Sequence, residues 1–119
     1  MFFTGSGRDT IYGDRGNDTL SGGGEDDRMV GGAGCDWLDG GAGRDLVSGG
    51  AQADVFGFGA GGGSDVISDF QVGVDHLQIN WAERIKIVAA GEDCEIHFGP
   101  NVVVLQRVAA DGLSSLDFL

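Results

Sequence analysis

The sequence predicts an all-β fold, a right-handed parallel β-roll (β-helix) of nine-residue repeats that ends in a C-terminal β-strand cap. Three observations predict it: aspartates recur every nine residues, large apolar residues keep the same spacing, and 24 of the 119 residues are glycine. Such a glycine content is typical of chains that repeatedly adopt backbone conformations closed to other residues. The apolar fraction of 41% argues against simple disorder.

The regular repeats occupy residues 1–57. Six aspartates lie nine residues apart, at Asp9, Asp18, Asp27, Asp36, Asp45 and Asp54. Two places after them stand Ile11, Leu20, Met29, Leu38, Val47 and Phe56. One further step back reaches Phe2. We therefore expect the period to begin upstream, in a larger parent protein.

Glycines keep the same period in two positions ahead of each aspartate. They lie two places before it at Gly7, Gly16, Gly34 and Gly43, and four places before it at Gly5, Gly23, Gly32, Gly41 and Gly50. The repeat is G-G-x-G-x-D-x-U-x, where U is a large apolar residue. In the second and fourth positions three residues depart from it: Asp14 in the second, and Glu25 and Gln52 in the fourth. Because the fourth position is expected to need positive φ, each of the latter two costs about 1 kcal/mol.

Residues 58–78 contain two lengthened repeats. The segments 63–67 and 73–77 keep the core G-x-D-x-U but are displaced by eleven and then ten residues. We expect them to form a seventh and an eighth turn, with Asp65 and Asp75 in the aspartate position.

A C-terminal cap is predicted over residues 79–119. Short apolar runs, LQIN, RIKIVAA, EIHF and VVVLQRV, alternate with turn residues around Gly91 and Pro100. They predict four strands, two of them a hairpin about Gly91. Residues 81–84 are expected to form one helical turn or a loop, and no segment has an extended helical period.

The repeat length dictates how such a chain winds. GGxGxD is too glycine-rich for a strand, whereas x-U-x makes a very short strand with U pointing inward. Two repeats then complete one circuit of eighteen residues. Each buried apolar side chain contributes roughly 1.5–3 kcal/mol, but ordering each residue's backbone costs roughly 1–2 kcal/mol. The turns therefore need another stabilising contact.

The turns offer carboxylates and peptide carbonyls, the oxygen ligands of a hard cation such as Ca²⁺. Alternate turns share a side, so Asp9, Asp27, Asp45 and Asp65 stack on one side, and Asp18, Asp36, Asp54 and Asp75 on the other. A cation between stacked turns meets an aspartate from each. Four such sites lie in the regular array and two more involve the lengthened turns, which predicts four to six Ca²⁺ ions.

The repeats GGAGCDWLD and GGAGRDLVS, residues 31–48, match every position of the repeats-in-toxin (RTX) nonapeptide, and residues 1–57 as a whole closely resemble that family. The resemblance implies a β-roll that binds Ca²⁺ through aspartates and turn carbonyls. One implied site joins Gly5, Gly7 and Asp9 to Gly22, Gly24 and Asp27. Another joins Gly32, Gly34 and Asp36 to Gly49, Ala51 and Asp54. The other implied carbonyl ligands are those of Gly16, Gly23, Gly31, Ala33, Gly40, Gly41, Ala42 and Gly43.

The resemblance also implies export from a Gram-negative cytoplasm by the type I secretion machinery, through an uncleaved C-terminal signal. The chain ends in LSSLDFL, which is similar to several such signals. MFFTGSGRDT lacks the pattern of a signal peptide and no run approaches the length of a membrane span, so classical N-terminal export is not expected. We expect a secreted, extracellular protein that folds on meeting Ca²⁺. Its net charge of −12 argues against nucleic acid and anionic membranes as partners.

The sequence also leaves an alternative function open, a calcium-stabilised module that binds a carbohydrate or a cell surface. Trp37, in an outward-facing position, is predicted to be an exposed aromatic and is the candidate contact, and the acidic composition disfavours polyanionic glycans. An enzyme is not expected, because the chain lacks GxSxG and HExxH. His76 and His97 are expected on strand surfaces. Asp69 is a candidate extra ligand.

Two further patterns predict no function. Residues 57–62 satisfy GxGxxG, but no strand and helix follow as a dinucleotide site requires, so a glycine-rich loop is expected. Cys35 and Cys94 are expected to be unrelated thiols rather than a disulfide.

Overall fold

The computed structural model describes residues 2–3, 7–58, 63–79, 85–98, 101–109 and 112–113, the first pair by backbone alone. These residues form twelve strands and no α-helix, which confirms the all-β prediction. The strands are β1 (Phe2–Phe3), β2 (Thr10–Tyr12), β3 (Thr19–Ser21), β4 (Arg28–Val30), β5 (Trp37–Asp39), β6 (Leu46–Ser48), β7 (Val55–Phe58), β8 (Ser64–Ile67), β9 (His76–Ile79), β10 (Ile85–Ala90), β11 (Asp93–Phe98) and β12 (Asn101–Leu105). The predicted helical turn or loop at 81–84 lies outside the described residues. Nothing in the described chain forms a helix of the length and apolarity that a membrane crossing requires.

The odd-numbered and even-numbered strands of the repeats form two separate sheets. One sheet has the order β1-β3-β5-β7-β9, and the other has the order β2-β4-β6-β8-β12-β11-β10. Within the repeats every pair is parallel, and residues eighteen apart face each other, as Leu20 faces Leu38. The predicted parallel β-roll is therefore confirmed, with two repeats in each circuit.

The lengthened repeats rejoin this register. Ile67 faces Val47, and Leu77 faces Phe56, although 20 and 21 residues separate the partners. The predicted seventh and eighth turns are thus present, and their extra residues lie in the connections.

The core lies between the two sheets and consists of the central residue of each repeat strand. Those side chains are at most 5% exposed: Ile11, Leu20, Met29, Leu38, Val47, Phe56, Ile67 and Leu77. At roughly 1.5–3 kcal/mol each, they form a thin core of one buried side chain per repeat. Further burial comes from the cap, where Phe58 and Phe98 pack with ring centroids 6.0 Å apart.

The cap extends the second sheet rather than forming a separate layer. β10 and β11 make the predicted antiparallel hairpin about Gly91, which has φ of 66°. β12 then pairs antiparallel to β11 and parallel to β8. β12 thereby covers what would otherwise be the open edge of β8, the last even-numbered strand of the repeats. The domain boundaries at 57/58 and 78/79 stay predictions.

Candidate metal centre

The turns of the roll require positive φ at the second and fourth positions of the repeat. Glycine meets this requirement in most repeats, as at Gly32 with φ of 92° and Gly34 with φ of 110°. The exceptions Asp14, Glu25 and Gln52 have φ of 69°, 67° and 69°. The predicted positive φ at Glu25 and Gln52 is confirmed, and such a conformation costs about 1 kcal/mol for each residue.

Successive turns on one side of the roll stack in direct backbone contact. The amides of Ala33, Ala42 and Ala51 donate to carbonyls nineteen residues earlier, at 2.9, 2.9 and 3.1 Å. A Cβ added to Gly32 or Gly41 would collide with the carbonyl of the turn beneath it. Glycine is therefore required here by the close approach of two backbones as well as by φ.

The repeat aspartates form two ladders, one on each side of the roll. The backbone amide of each aspartate donates to Oδ1 of the aspartate in the next turn on the same side, at 2.8–3.0 Å. The ladders are Asp9, Asp27, Asp45 and Asp65 on one side, and Asp18, Asp36, Asp54 and Asp75 on the other. The structure thus brings together the pairs that the sequence predicted.

The second oxygen of most of these carboxylates lacks a partner. Among the described residues, buried Oδ2 atoms without a hydrogen bond belong to Asp9, Asp18, Asp27, Asp36, Asp45 and Asp54. Buried polar atoms in proteins are nearly always hydrogen-bonded, and a buried charge without a partner is especially costly. Six repetitions of the same defect indicate a missing partner of positive charge.

The surroundings of these oxygens fit a cation. A Cβ placed on Gly31 would lie 2.6 Å from both Asp36 Oδ2 and the carbonyl oxygen of Gly49. The same point at Gly22 lies 2.6 Å from Asp27 Oδ2 and 2.7 Å from the Gly40 oxygen. Each point therefore has a carboxylate oxygen of one turn and a carbonyl oxygen of the next stacked turn close to it. The first glycine of the repeat leaves this space open.

The donor set consists of two carboxylates and otherwise of backbone. No group of three or more Asp, Glu, His or Cys side chains converges on a point within the described part of the chain. Ca²⁺ takes six to eight oxygen ligands and accepts peptide carbonyls among them. A turn of stacked carbonyls with one aspartate per layer is chemically suited to that ion rather than to zinc.

Burial raises the pKa of six aspartates in the ladders, Asp27, Asp36, Asp45, Asp54, Asp65 and Asp75. It raises the pKa of Asp54 from 3.8 to about 7 despite the bond from the Asp36 amide, and the charges of Asp75 and Asp36 contribute. The pKa of Asp65 is raised to about 8, again mainly by burial. Each carboxylate would be stabilised by a cation that compensates its lost hydration.

The far end of each ladder differs from its interior. Asp75 Oδ2 accepts a hydrogen bond from the Gln71 amide at 2.9 Å, so Asp75 does not repeat the unpartnered pattern. Asp69, the candidate extra ligand, accepts bonds from Ser48 Oγ and from the amides of Gly49 and Gly50, at 2.7–2.9 Å. Its carboxylate links the lengthened connection to the turn after β6.

Several further sequence predictions concern residues outside the aspartate ladders. Cys35 and Cys94 are both free thiols, which confirms that they are unrelated. His97 lies on β11, with Nε2 3.0 Å from Glu95 Oε1. The predicted ligand Gly5 and the loop 59–62 lie outside the described residues.

The prediction of an exposed Trp37 is wrong. Its indole Nε1 donates to Gln78 Oε1 at 3.2 Å, and its ring lies over Gly57, where a Cβ would be 2.7 Å from Cζ2. The side chain faces outward, but it is half-buried against the sheet because a glycine on β7 leaves room for the ring.

Sequence reasoning missed the role of the fifth repeat position. Asn17 Oδ1 accepts from the Cys35 amide, and Asp26 Oδ1 accepts from the Arg44 amide, both at 2.8 Å. These bonds join turns eighteen residues apart beside the aspartate ladders. The sequence carried only a weak signal, because a short amide or carboxylate stands in this position in just two consecutive repeats, at Asn17 and Asp26.

A parallel β-roll whose stacked turns carry one aspartate each, with an unpartnered buried oxygen, defines a class of repeat protein that binds a hard cation. The family model described as RTX calcium-binding nonapeptide repeat (4 copies) matches residues 3–35, 22–56 and 31–67, together more than half of the chain. The chain belongs to this family, whose repeats bind calcium and are typical of secreted proteins. Among curated protein sequences, none matches the chain at a significant level.

Solved structures with similar folds include RTX-repeat domains of bacterial enzymes. The R3 subunit of the AlgE6 mannuronan C5-epimerase from Azotobacter vinelandii is 28% identical, with a TM-score of 0.78 over 98% of this chain and 80% of that one. The R2 subunit of the same enzyme is also 28% identical, with a TM-score of 0.62 over 95% and 89%. The extracellular lipase LipA of Serratia marcescens is 23% identical, with a TM-score of 0.61 over 87% of this chain and 19% of the lipase, and shares the fold.

Proposed function

We propose that this chain is a calcium-folded module that supports the secretion, extracellular folding and stability of a larger exported protein. The observation that carries the proposal is the row of six buried, unpartnered carboxylate oxygens between stacked turns. These oxygens destabilise the folded roll when no cation is bound, and a bound cation would stabilise it.

The same observation supports six ions, the upper end of the predicted range. The aspartates form six stacked pairs, the last two being Asp45 with Asp65 and Asp54 with Asp75. The earlier aspartate of each pair has an unpartnered Oδ2. The carbonyls of Gly31, Gly40 and Gly49 would complete three of these sites, since each lies beside the space next to an unpartnered oxygen.

Calcium would supply positive charge and link stacked turns, and the chain's own residues would determine which fold the bound ions stabilise. Six divalent ions carry twelve positive charges against a formal net charge of −12. Without them, like charges stack at about 4.8 Å, the spacing of neighbouring strands, across a core too thin to offset their repulsion. Since the unfolded chain has no preformed sites, the binding free energy becomes folding free energy.

Circular dichroism during a Ca²⁺ titration tests this proposal, with Mg²⁺ as the control ion. We expect β structure to appear cooperatively with Ca²⁺ and not with the same concentration of Mg²⁺, which demands a smaller octahedral site. Equal β content with a chelator present would refute calcium-driven folding. Isothermal calorimetry should count about six ions, and a clearly smaller number would overturn the ion count alone.

The secretory part of the proposal concerns the chain's context. A chain that stays unfolded at low cytoplasmic Ca²⁺ is suited to the type I secretion machinery, and it would fold beside its upstream domain outside the cell. The C-terminal LSSLDFL is the proposed signal; apart from Leu113, it lies outside the described residues. Export of a reporter fused to this chain, compared with a fusion that lacks 113–119, tests that assignment. Equal export of both would refute it.

The proposed role is non-catalytic, and its alternative is carbohydrate or cell-surface binding. Trp37 gives that alternative little support, because its indole Nε1 already donates to Gln78 and its ring lies over Gly57 on β7.

A further inference from the structure

The second sheet ends in an open edge at β10. Among the described strands, β10 pairs only with β11 and stands last in the sheet. It has six residues, whereas the strands at the other described sheet edges have two to four. Proteins protect such edges with short strands, charges, proline or bulges, because unpaired backbone groups there can bind another strand. β10 contains one charged residue, Lys86, and no proline, so it is the least protected of these edges.

The turn between β10 and β11 determines which backbone groups face away from β11. It has only two residues, so Ala90 and Asp93 flank it and pair with each other. The residues that flank a two-residue turn form a hydrogen-bonded pair, and such pairs alternate along an antiparallel ladder. The amides and carbonyls of Ile87 and Ala89 therefore point to the open edge.

The same part of β10 exposes apolar side chains. Ile87 is 40% exposed, although Ile96, which lies opposite on β11, is fully buried. Ala89 is also exposed, and its neighbour Cys94 is buried. Ile85, at the start of the strand, packs against the core instead. The inward, apolar face of the sheet thus extends beyond the covered core at Ile87 and Ala89.

We propose that this edge binds a second copy of the chain, with the two β10 strands antiparallel about a two-fold axis at Val88. In that register Ile87 of each copy lies opposite Ala89 of the other, and these are the residues whose backbone groups point outward. The two exposed isoleucines would then meet diagonally on the inward face of the joined sheet. Dimerisation would bury the apolar surface that the single chain exposes.

The charges beside β10 favour the same register. Lys86 of each copy would lie diagonal to Glu92 of the other, so the two-fold axis creates two ion pairs. Both side chains are exposed, and neither belongs to an ion pair within the described part of the chain. A register centred on Ile87 would instead place the two Lys86 side chains diagonal to each other, as like charges. A second copy centred on Val88 therefore complements this edge in backbone, apolar surface and charge.

The topology of the sheet accommodates such a dimer. β10 and β2 lie at opposite ends of the second sheet. In the dimer the β2 ends of the two rolls would point away from each other, so upstream domains would lie far apart. The contact is confined to two six-residue strands, which is small compared with the roughly 1,200–2,000 Å² of a stable interface. We therefore expect a weak dimer.

Sedimentation equilibrium of the calcium-loaded chain tests the proposal. Between about 5 and about 500 μM the average mass should rise from that of one chain toward that of two. Ile87→Lys places like charges diagonal to each other across the axis and should weaken dimerisation at least tenfold. Val72→Lys is the matched control, because Val72 is 44% exposed in the connection between β8 and β9. It should change dimerisation less than twofold.

Charge reversal tests the register. Lys86→Glu and Glu92→Lys should each weaken dimerisation by about three- to tenfold, since each creates two like-charged pairs across the axis. The combined variant Lys86→Glu/Glu92→Lys should restore dimerisation to within twofold of the parent chain. A double variant as weak as the single ones would overturn the register centred on Val88.

Two other outcomes would overturn the interface itself. A folded chain that stays monomeric at every concentration would exclude a second copy and leave a strand of another protein as the occupant of the edge. Equal dimerisation of Ile87→Lys and Val72→Lys would exclude β10. Circular dichroism of the same samples verifies folding, and a chain found to be folded in chelator should dimerise there equally. Failure of calcium-driven folding is therefore distinguishable from failure of the dimer.

Discussion

Asp36→Asn is the sharpest perturbation of the ladders, because the variant keeps the shape of the side chain and removes one charge. Oδ1 of Asp36 accepts the Asp18 amide at 2.8 Å, a bond that asparagine retains. Only the unpartnered Oδ2 is replaced. Since Asp36 stacks with Asp18 on one side and Asp54 on the other, the variant alters two proposed calcium sites.

The variant is expected to lower the folding stability of the chain with calcium and to raise it without calcium. With Ca²⁺, removing one partner of a buried ion pair costs roughly 3–5 kcal/mol. If six ions bind together with folding, this cost raises the Ca²⁺ concentration at the midpoint roughly two- to fourfold. In chelator the variant should be more folded than the parent chain, because burial raises the pKa of Asp36 and its charge destabilises the roll.

Asp26→Asn is the matched control. It removes the same charge from an exposed side chain and retains the acceptor for the Arg44 amide at 2.8 Å. Surface changes of this kind fall within about 0.5 kcal/mol, so its midpoint should stay within about 1.2-fold of the parent. Circular dichroism against free Ca²⁺ measures all three chains. Equal shifts in the two variants, or a loss of stability in Asp36→Asn both with and without calcium, would refute the reasoning.

Three further predictions concern the turns, pH and the lengthened connection. Gly31→Ala should lower the stability of the calcium-loaded roll by roughly 1–3 kcal/mol in thermal melts, since the added Cβ fills the space beside Asp36 Oδ2. Gly24→Ala is the control: a Cβ there meets nothing within 4 Å, so this variant should be neutral or slightly stabilising. Equal losses of stability in the two variants would contradict this prediction. In chelator, β content should rise as pH falls from 8 to 5: the pKa of Asp54 is raised to about 7 and that of Asp65 to about 8, so the folded chain binds more protons than the unfolded one over that interval. Unchanged circular dichroism across it would exclude protonation as a substitute for calcium. Asp69→Asn should lower the melting temperature of the calcium-loaded chain, at a cost of roughly 1–3 kcal/mol, because one of its three donors loses its acceptor; an unaltered melt would show that this link is dispensable.

Much of the roll follows from local periodicity. A nine-residue repeat with one inward apolar residue determines which strands stack and which aspartates share a side, so Leu20 opposite Leu38 and Asp18 beneath Asp36 were predictable. Even the lengthened repeats could be placed, because G-x-D-x-U persists around Asp65 and Asp75. Each of these features depends on contacts that every repeat makes in the same way.

The outward side chains were harder to predict, since they vary from repeat to repeat. Trp37 was predicted to be exposed, but its surroundings depend on Gly57 in the next strand and on Gln78 in the strand after that. Asp69 was considered a ligand, yet its oxygens meet donors in residues 48–50. No repeat position encodes either contact.

The sequence by itself determined the period, the buried residues and the pairing of aspartates eighteen residues apart, because a short repeat imposes one local geometry throughout the roll. Only the tertiary structure decided which oxygen of each aspartate is left unpartnered, since Oδ1 is taken by an amide of another turn. It also placed β10 at the edge of the second sheet, with Ile87 exposed. The hairpin itself follows from local turn residues, but its place in the sheet depends on the pairing of β12 with β8, a contact between segments far apart in the chain.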